Sequence, residues 1–275
     1  MRTEISGHYG PGDLLGRLRA ALLADGVDPD HPTIEALAPY DQLHGRGMEA
    51  TRELADQLQV SIGDRLLDVG SGIGGPARYI AERFTARVTG IDLTAEFCDV
   101  AQHLTQALGM DDRVDFKQGD ALAMPFADAS FDGAYSINVA MNIRDKAGFY
   151  AEIHRVLRPG GWLALAELAQ GPNGSPAYPT PWARTEESSF LATPAQTRAG
   201  LEAAGFTVTR LRETTEQALA YGARARAMVE RGEKPPQRII QLIHGDLARE
   251  IMANVARGVA EGRLVPIEVL CTKPG

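Results

Sequence analysis

Residues 65–84 read RLLDVGSGIGGPARYIAERF, and RVTGIDL follows at 87–93. No other stretch restricts the fold as strongly. Arg65-Leu66-Leu67-Asp68-Val69 is a short apolar run bounded by turn residues, the pattern of a strand covered on both faces of a parallel sheet. Gly70, Gly72, Gly74 and Gly75 come next, and without side chains they let the backbone turn sharply and approach another group closely. Pro76 favours the first turn of a helix, so the free N–H groups of that helix face back toward the turn. A second strand ends at Asp92. Strand, glycine turn, helix and strand in this order predict a doubly wound, Rossmann-like α/β sheet.

The same residues predict a ligand. Asp92 lies 22 residues after Gly70, where a carboxylate can accept both hydroxyls of a ribose, so a nucleoside is expected between turn and acid. Gly70, Gly72 and Gly75 also satisfy the dinucleotide fingerprint, which brings a nicotinamide cofactor into consideration. Asp68 argues against it, because a carboxylate at the mouth of the turn repels a pyrophosphate and attracts an amino group or a sulfonium. So does the stretch of about 60 residues ahead of the first strand, since a dinucleotide domain often begins near its own N-terminus.

The downstream series is the third argument. VDFKQGDALAMPF at 114–126 is a strand ending in the polar turn Gly119-Asp120-Ala121, which can bond a purine edge. FDGAYSINVAMNI at 131–143 is a strand with Ser136 and Asn138 at its end, and HRVLRPGGWLALAEL at 154–168 reads as helix, Pro-Gly-Gly turn and strand. In this order the segments resemble the class I S-adenosylmethionine-dependent methyltransferases over about residues 40–170. Within that family YDQLHGRGMEATRELADQL, GGPARYIAERF and SFDGAYSINVAMNIRDK are most similar to small-molecule methylases of the sarcosine and dimethylglycine N-methyltransferase kind, with sterol and tocopherol methylases further off.

The resemblance implies a seven-stranded sheet with an antiparallel last strand and S-adenosylmethionine as cofactor. It implies cofactor contacts from Gln42, Asp68, Gly70, Ser71, Gly72, Asp92, Leu93, Asp120, Ala121 and Asn138. His44, just ahead of the helix that leads to the first strand, is the candidate catalytic residue, to take a proton from the acceptor or to orient it. Asn142, Tyr178 and Trp182, with Tyr9, are candidates for the acceptor wall; aromatics around a cationic or planar acceptor and aromatics pinning a Pro-rich loop are the two readings. Arg46 reads either as a contact to the cofactor carboxylate or as a surface residue, and Glu167 as an amine-recognising acid or half of a buried salt bridge. His154 and His244 read as structural, and no metal is expected.

The 275 residues are 44% hydrophobic, enough for one large core or one core with a small cap. We expect N-terminal lid helices over 1–60 and a catalytic domain over 61–275 that carries a helical cap at about 216–262. A net charge of −8 disfavours nucleic acid and anionic membranes as partners. No stretch approaches the roughly 20 apolar residues of a membrane span, and MRTEISGHYG lacks a signal-peptide core. Cys98 and Cys271 read as reduced structural thiols, and a cytoplasmic protein follows. Arginine far outnumbers the four lysines, Lys117, Lys146, Lys234 and Lys273, a bias of GC-rich bacterial codons.

Elsewhere the patterns predict a helix at 11–26, a proline-punctuated connector to about 41 and a helix near 46–59. Thr94, Asp145 and Thr193 are expected to cap helices, and 207–215 a strand ahead of a helix at 216–232. Ile239, Ile243, Leu247, Ile251 and Val255 form one apolar stripe read as packing. VPIEVLCTKP is the closing strand, and helices outside the sheet are available to pair subunits as a homo-oligomer. The functional expectation is methyl transfer to a small molecule, on nitrogen ahead of oxygen or carbon. An S-adenosylmethionine-binding cyclase or isomerase is the alternative, because no residue is an unambiguous base. A nucleic-acid methylase is disfavoured by Asn138-Val139-Ala140-Met141, which lacks a Pro-Pro-aromatic clamp for a flipped base.

Overall fold

The computed structural model describes residues 12–275. Seven strands form one sheet: β1 (Arg65–Val69), β2 (Arg87–Asp92), β3 (Val114–Gln118), β4 (Phe131–Ile137), β5 (Leu157–Gln170), β6 (Thr207–Glu213) and β7 (Leu264–Thr272). Their spatial order is β3-β2-β1-β4-β5-β7-β6. β1 to β5 pair in parallel, and β7 runs antiparallel between β5 and β6. The chain reverses its direction of travel across the sheet between β1 and β4, so the crevice for a ligand opens beyond their carboxyl ends.

Alternation along the strands builds two cores. Leu67, Val69, Leu163, Leu165, Ile267 and Val269 pack on one face with Phe149 and Ile153 of helix α6 (Lys146–Val156). Leu66, Val88, Tyr135 and Ala164 point to the other face, against Ala77, Ile80 and Ala81 of α4 (Gly75–Phe84) and Leu54 of α3 (Gly47–Ala55). A third cluster joins Leu14, Leu18 and Leu22 of α1 (Leu14–Ala24) and Leu37 of α2 (Ile34–Asp41) to Ile73, to Phe97 of α5 (Ala95–Ala107) and to Ile239 and Ile243 of α9 (Ile239–His244). The N-terminal helices and the C-terminal helical segment therefore share one apolar seam above the sheet. Polar contacts reinforce it: the Asp25 carboxylate accepts from Tyr40, Lys234 and Arg238, and the fully buried Arg78 pairs with Asp41 at 3.0 Å while donating to the Ile73 carbonyl at 2.8 Å.

Several expectations are corrected. The 27–41 connector contains α2, started by Thr33, whose side chain accepts from Ala36 N–H, and ended two residues beyond Pro39. The apolar stripe from Ile239 to Val255 is not one helix: Gly245 takes φ +54 and separates α9 from α10 (Ala248–Ala260), leaving Leu247 47% exposed. Thr94 precedes α5 as expected, but its side chain makes no cap bond. Asp145 and Thr193 do cap, the latter opening α7 (Pro194–Ala203) in a capping box with Gln196. The Pro159-Gly160-Gly161 turn is a bulge inside β5: Leu157 pairs with Phe131, Trp162 with Gly133, and the residues between are left over. The helix expected from 216 is α8 (Thr215–Glu230).

Candidate active site

The glycine turn is folded onto the end of β2. Gly70 and Ser71 donate their N–H groups to the Ile91 carbonyl at 2.8 and 3.1 Å, and Gly70, Gly72 and Gly74 have φ of +78°, +53° and +82°. At Gly70 even a methyl group is excluded, because a Cβ would lie 2.3 Å from Cγ2 of Val139. Gly72 N–H donates to Asp92 Oδ2 at 2.9 Å, and Thr94 N–H donates to Oδ1 at 2.9 Å. Burial raises the Asp92 pKa, and the N–H groups of Thr94 and Gly72 oppose that rise.

These groups face a cavity of about 470 Å³. His44, Gly70, Gly72, Asp92 and Leu93 line it, as do Asp120, Ala121, Asn138, Asn142 and Trp182. Asp120 folds its loop by accepting from Leu122 N–H at 2.9 Å. Asn138 sits at φ +56°, its N–H bonded to the Ala166 carbonyl at 2.8 Å, where β4 leaves the sheet. Asn142 follows in the short 3-10 turn Ala140–Asn142.

Gln42, Asp68, Ser71 and Tyr178 are not part of that wall. Gln42 is fully buried, donating to Asp41 and accepting from the Thr51 hydroxyl at 2.6 Å. Tyr178 packs with Met141, Trp182 and Ala183 behind the wall, so it backs Trp182 rather than lining the site. Asp68 lies beneath the glycine turn, 2% exposed, and burial pushes its carboxyl up to about 8. The Asp68 carboxyl and the Tyr135 hydroxyl are buried against each other, which opposes the rise, and Ser71 Oγ is buried without a hydrogen-bond partner. A buried polar atom is seldom left so, and these groups beside a glycine turn suit a ligand carrying N–H and O–H groups. Tyr9 lies outside the described residues.

The His44 ring is 6% exposed with both nitrogens among protein oxygens. Nδ1 is 3.2 Å from the Gly45 carbonyl, and Nε2 is 3.0 Å from Thr51 Oγ1 and 3.2 Å from Gln42 Oε1. Burial pulls its pKa down to about 4, so the ring is neutral at ordinary pH. Glu167, at the carboxyl end of β5, is 6% exposed and also lines the cavity. Its Oε1 accepts from Ala140 N–H at 3.1 Å and Val139 N–H at 3.3 Å, so backbone groups and not an ion pair hold it. Its Oε2 has no partner, and burial pushes its carboxyl up to about 7 against those N–H groups and the charge of Lys146.

Further lining groups stand differently from the sequence reading or were not named in it. Arg46 is buried, not on the surface, and pairs with Glu53 at 2.9 Å and Glu268 at 3.6 Å; Glu268 is also bound by Arg212 and Gln57. The one acid inside the apolar run VPIEVL was the available signal for Glu268, because a charge in a buried strand demands a partner. His244 lines the cavity from the end of α9 instead of serving only the core. The inner sides of α8 and α10 complete the wall, which periodicity cannot separate from a packing face. His154 is structural, edge-on to Phe206 with ring centroids 5.0 Å apart.

Residues 67–165 match the family model described as a methyltransferase domain. Methyltransferase GfsG of Streptomyces halstedii is 35% identical over 169 residues, covering 60% of this chain and 58% of that protein. Across the curated relatives, which include carbon, nitrogen and oxygen methyltransferases, the aligned part falls as low as 28% of the relative's own length. Among solved structures, the geranyl diphosphate C-methyltransferase of Streptomyces coelicolor A3(2), in complex with S-adenosyl-L-homocysteine, superposes with TM-score 0.71 at 18% identity over 99% of this chain and 97% of that one. The cyclase SpnF superposes with TM-score 0.67 at 23% identity over 97% of both chains. The chain therefore carries a methyltransferase domain over residues 67–165, built on the sheet that the superposed structures share.

Proposed function

We propose that this protein transfers a methyl group from S-adenosylmethionine to a small-molecule acceptor. The observation that carries the reading is the convergence of Gly70, Gly72, Asp92 and Asp120 on one cavity. When bound, S-adenosylmethionine supplies a methyl group already activated by its sulfonium. The protein's share is then to hold, align and exclude water.

In this reading Asp92 accepts the ribose hydroxyls, Asp120, Ala121 and Leu93 flank the purine, and Gly70 and Gly72 let the backbone close on the ligand. Asp68 and Ser71, buried beneath the turn, serve the amino-acid end, and Gln42 supports it through the lid. Asn138 marks the methyl end, and Asn142 and Trp182 face the acceptor. A His44 ring whose nitrogens are occupied within the lid positions the acceptor more readily than it takes a proton. Glu167, with a pKa near neutrality, is the group suited to receive the proton that an amine, hydroxyl or carbon acid gives up. Residues 12–60 and the helices of 216–262 act as one cover over the site, joined by their shared seam.

No helix among the described residues is long and apolar enough to cross a membrane. Two buried, unbridged cysteines fit the reducing cytoplasm of a bacterium. Titration with S-adenosylmethionine and NADH, followed by acceptor screening with a labelled methyl donor, tests the function. Conversion of an acceptor with the label left on the donor would favour cyclisation or isomerisation.

A further inference from the structure

Helix α8 is held to the chain at few points: Ala218 packs on the cluster of Met141, Trp182 and Val259, and Arg224 pairs with Glu49 at 2.7 Å. A surface helix ordinarily buries an apolar stripe, yet none of its 16 residues is buried. Its start is anchored, with Thr214 N–H bonded to the Pro266 carbonyl at 2.8 Å. From there Ala218, Gly222 and Arg226, one turn apart, face the cavity. Gly222 has no atom within 4 Å of where a Cβ would stand. Helix α10 divides similarly. Ile251, Gly258 and Val259 are buried against the protein, while Met252, Ala256 and Ala260 form a neighbouring stripe that is exposed and lines the same cavity.

The mouth between these helices is apolar at its largest residues. Leu219 is 44% and Met252 43% exposed, and both line the cavity. Leu219, Met252 and Ala256 line this space and stay exposed, and such apolar surface is stabilised when something apolar occupies the space. The fixed charges beside them are already matched: Arg46 is held by Glu53 and Glu268, and Glu268 by Arg212. Arg226 is exposed at the rim, where water solvates it. At the inner end stands Glu167, buried, with one oxygen unpartnered.

We propose that the methyl acceptor is a bulky, predominantly apolar molecule whose hydrocarbon body lies against α8 and α10, with its reactive end toward Asn138 and Glu167. Sarcosine and phosphoethanolamine, which have almost no hydrocarbon to bury, do not fit this wall. The inference rests on the methyltransferase reading, and its test separates the two.

Protein saturated with S-adenosylhomocysteine is titrated with Nile red, a neutral apolar probe, and separately with sarcosine and phosphoethanolamine. The same titrations are made on Gly222→Phe, whose Cβ enters open space, and on Ala256→Asp, which places a charge on the wall. One saturable Nile red site is expected, weakened about tenfold or more in both variants, with S-adenosylhomocysteine affinity within about twofold of the parent. Equal Nile red affinity in all three proteins overturns the proposal. So does tight binding of sarcosine or phosphoethanolamine that ignores both substitutions. Failure of the parent to bind S-adenosylhomocysteine overturns the methyltransferase reading instead, while the dye titration still reports on the wall.

Discussion

The carboxylate of Asp92 accepts the N–H of Gly72 at 2.9 Å, which ties the end of β2 to the glycine turn after β1 and makes one surface of two motifs 20 residues apart. Asp92→Ala removes that tie together with the acceptors proposed for the ribose. Binding of S-adenosylmethionine and S-adenosylhomocysteine is expected to weaken roughly ten- to hundredfold, the worth of one or two hydrogen bonds to a charged group. Calorimetry on a variant shown to be folded by circular dichroism checks this.

Asp68 is a cost in the free protein. Its folded pKa of about 8 lies above the ordinary value of 3.8, so between those values the unfolded chain releases a proton that the folded chain keeps. Stability then falls as pH rises through that window. Asp68→Asn is expected to flatten the decline, melting above the parent at pH 8 without ligand and no higher below pH 4. The same substitution should weaken S-adenosylmethionine binding, since Asp68 is proposed to serve the amino group. Melting temperature against pH, with and without ligand, reads both effects.

Glu167→Gln keeps the shape and removes the base. Turnover is expected to drop about a hundredfold or more, and the acidic limb of the pH–rate profile, set near 7 by Glu167 in the parent, should disappear while KM for the cofactor stays put. An unchanged profile would assign Glu167 a purely structural role at the Val139–Ala140 turn.

His44→Ala is expected to lower turnover far more than cofactor affinity, without altering the shape of the pH–rate profile between pH 5.5 and 8, because the ring is neutral throughout that range. Acid stability carries a second signature. The folded pKa of about 4 lies below the ordinary 6.5, so the parent loses stability as pH falls from 6.5 through 4 while its unfolded chain takes up a proton. The variant lacks this loss.

The central sheet was legible because its signals are local. Leu66 and Leu67 alternate between two cores, glycines stand where φ is positive, and Asp145 and Thr193 cap the helices that follow them. The cavity wall proposed for the cofactor followed, since Gly72, Asp92 and Asp120 sit at strand ends and line it. The side proposed for the acceptor was not legible. Met252 and Ala256 belong to one amphipathic helix whether they meet protein or a cavity, and Arg46 and Glu268 are 222 residues apart in sequence yet 3.6 Å apart in space. His44 was visible as a histidine near the site, but only tertiary structure could show its nitrogens turned to Gly45, Thr51 and Gln42. Gly245 reads as an ordinary interruption of a helical stripe until its φ of +54° ends α9.

The most direct test is calorimetric titration of the purified protein with S-adenosylmethionine, S-adenosylhomocysteine and NADH in turn. Micromolar binding of the first two, with none of the third, is the predicted result. Binding of NADH alone would contradict the placement of a nucleoside with an amino-acid tail against Asp92 and Asp68, and with it the methyltransferase activity proposed for the chain.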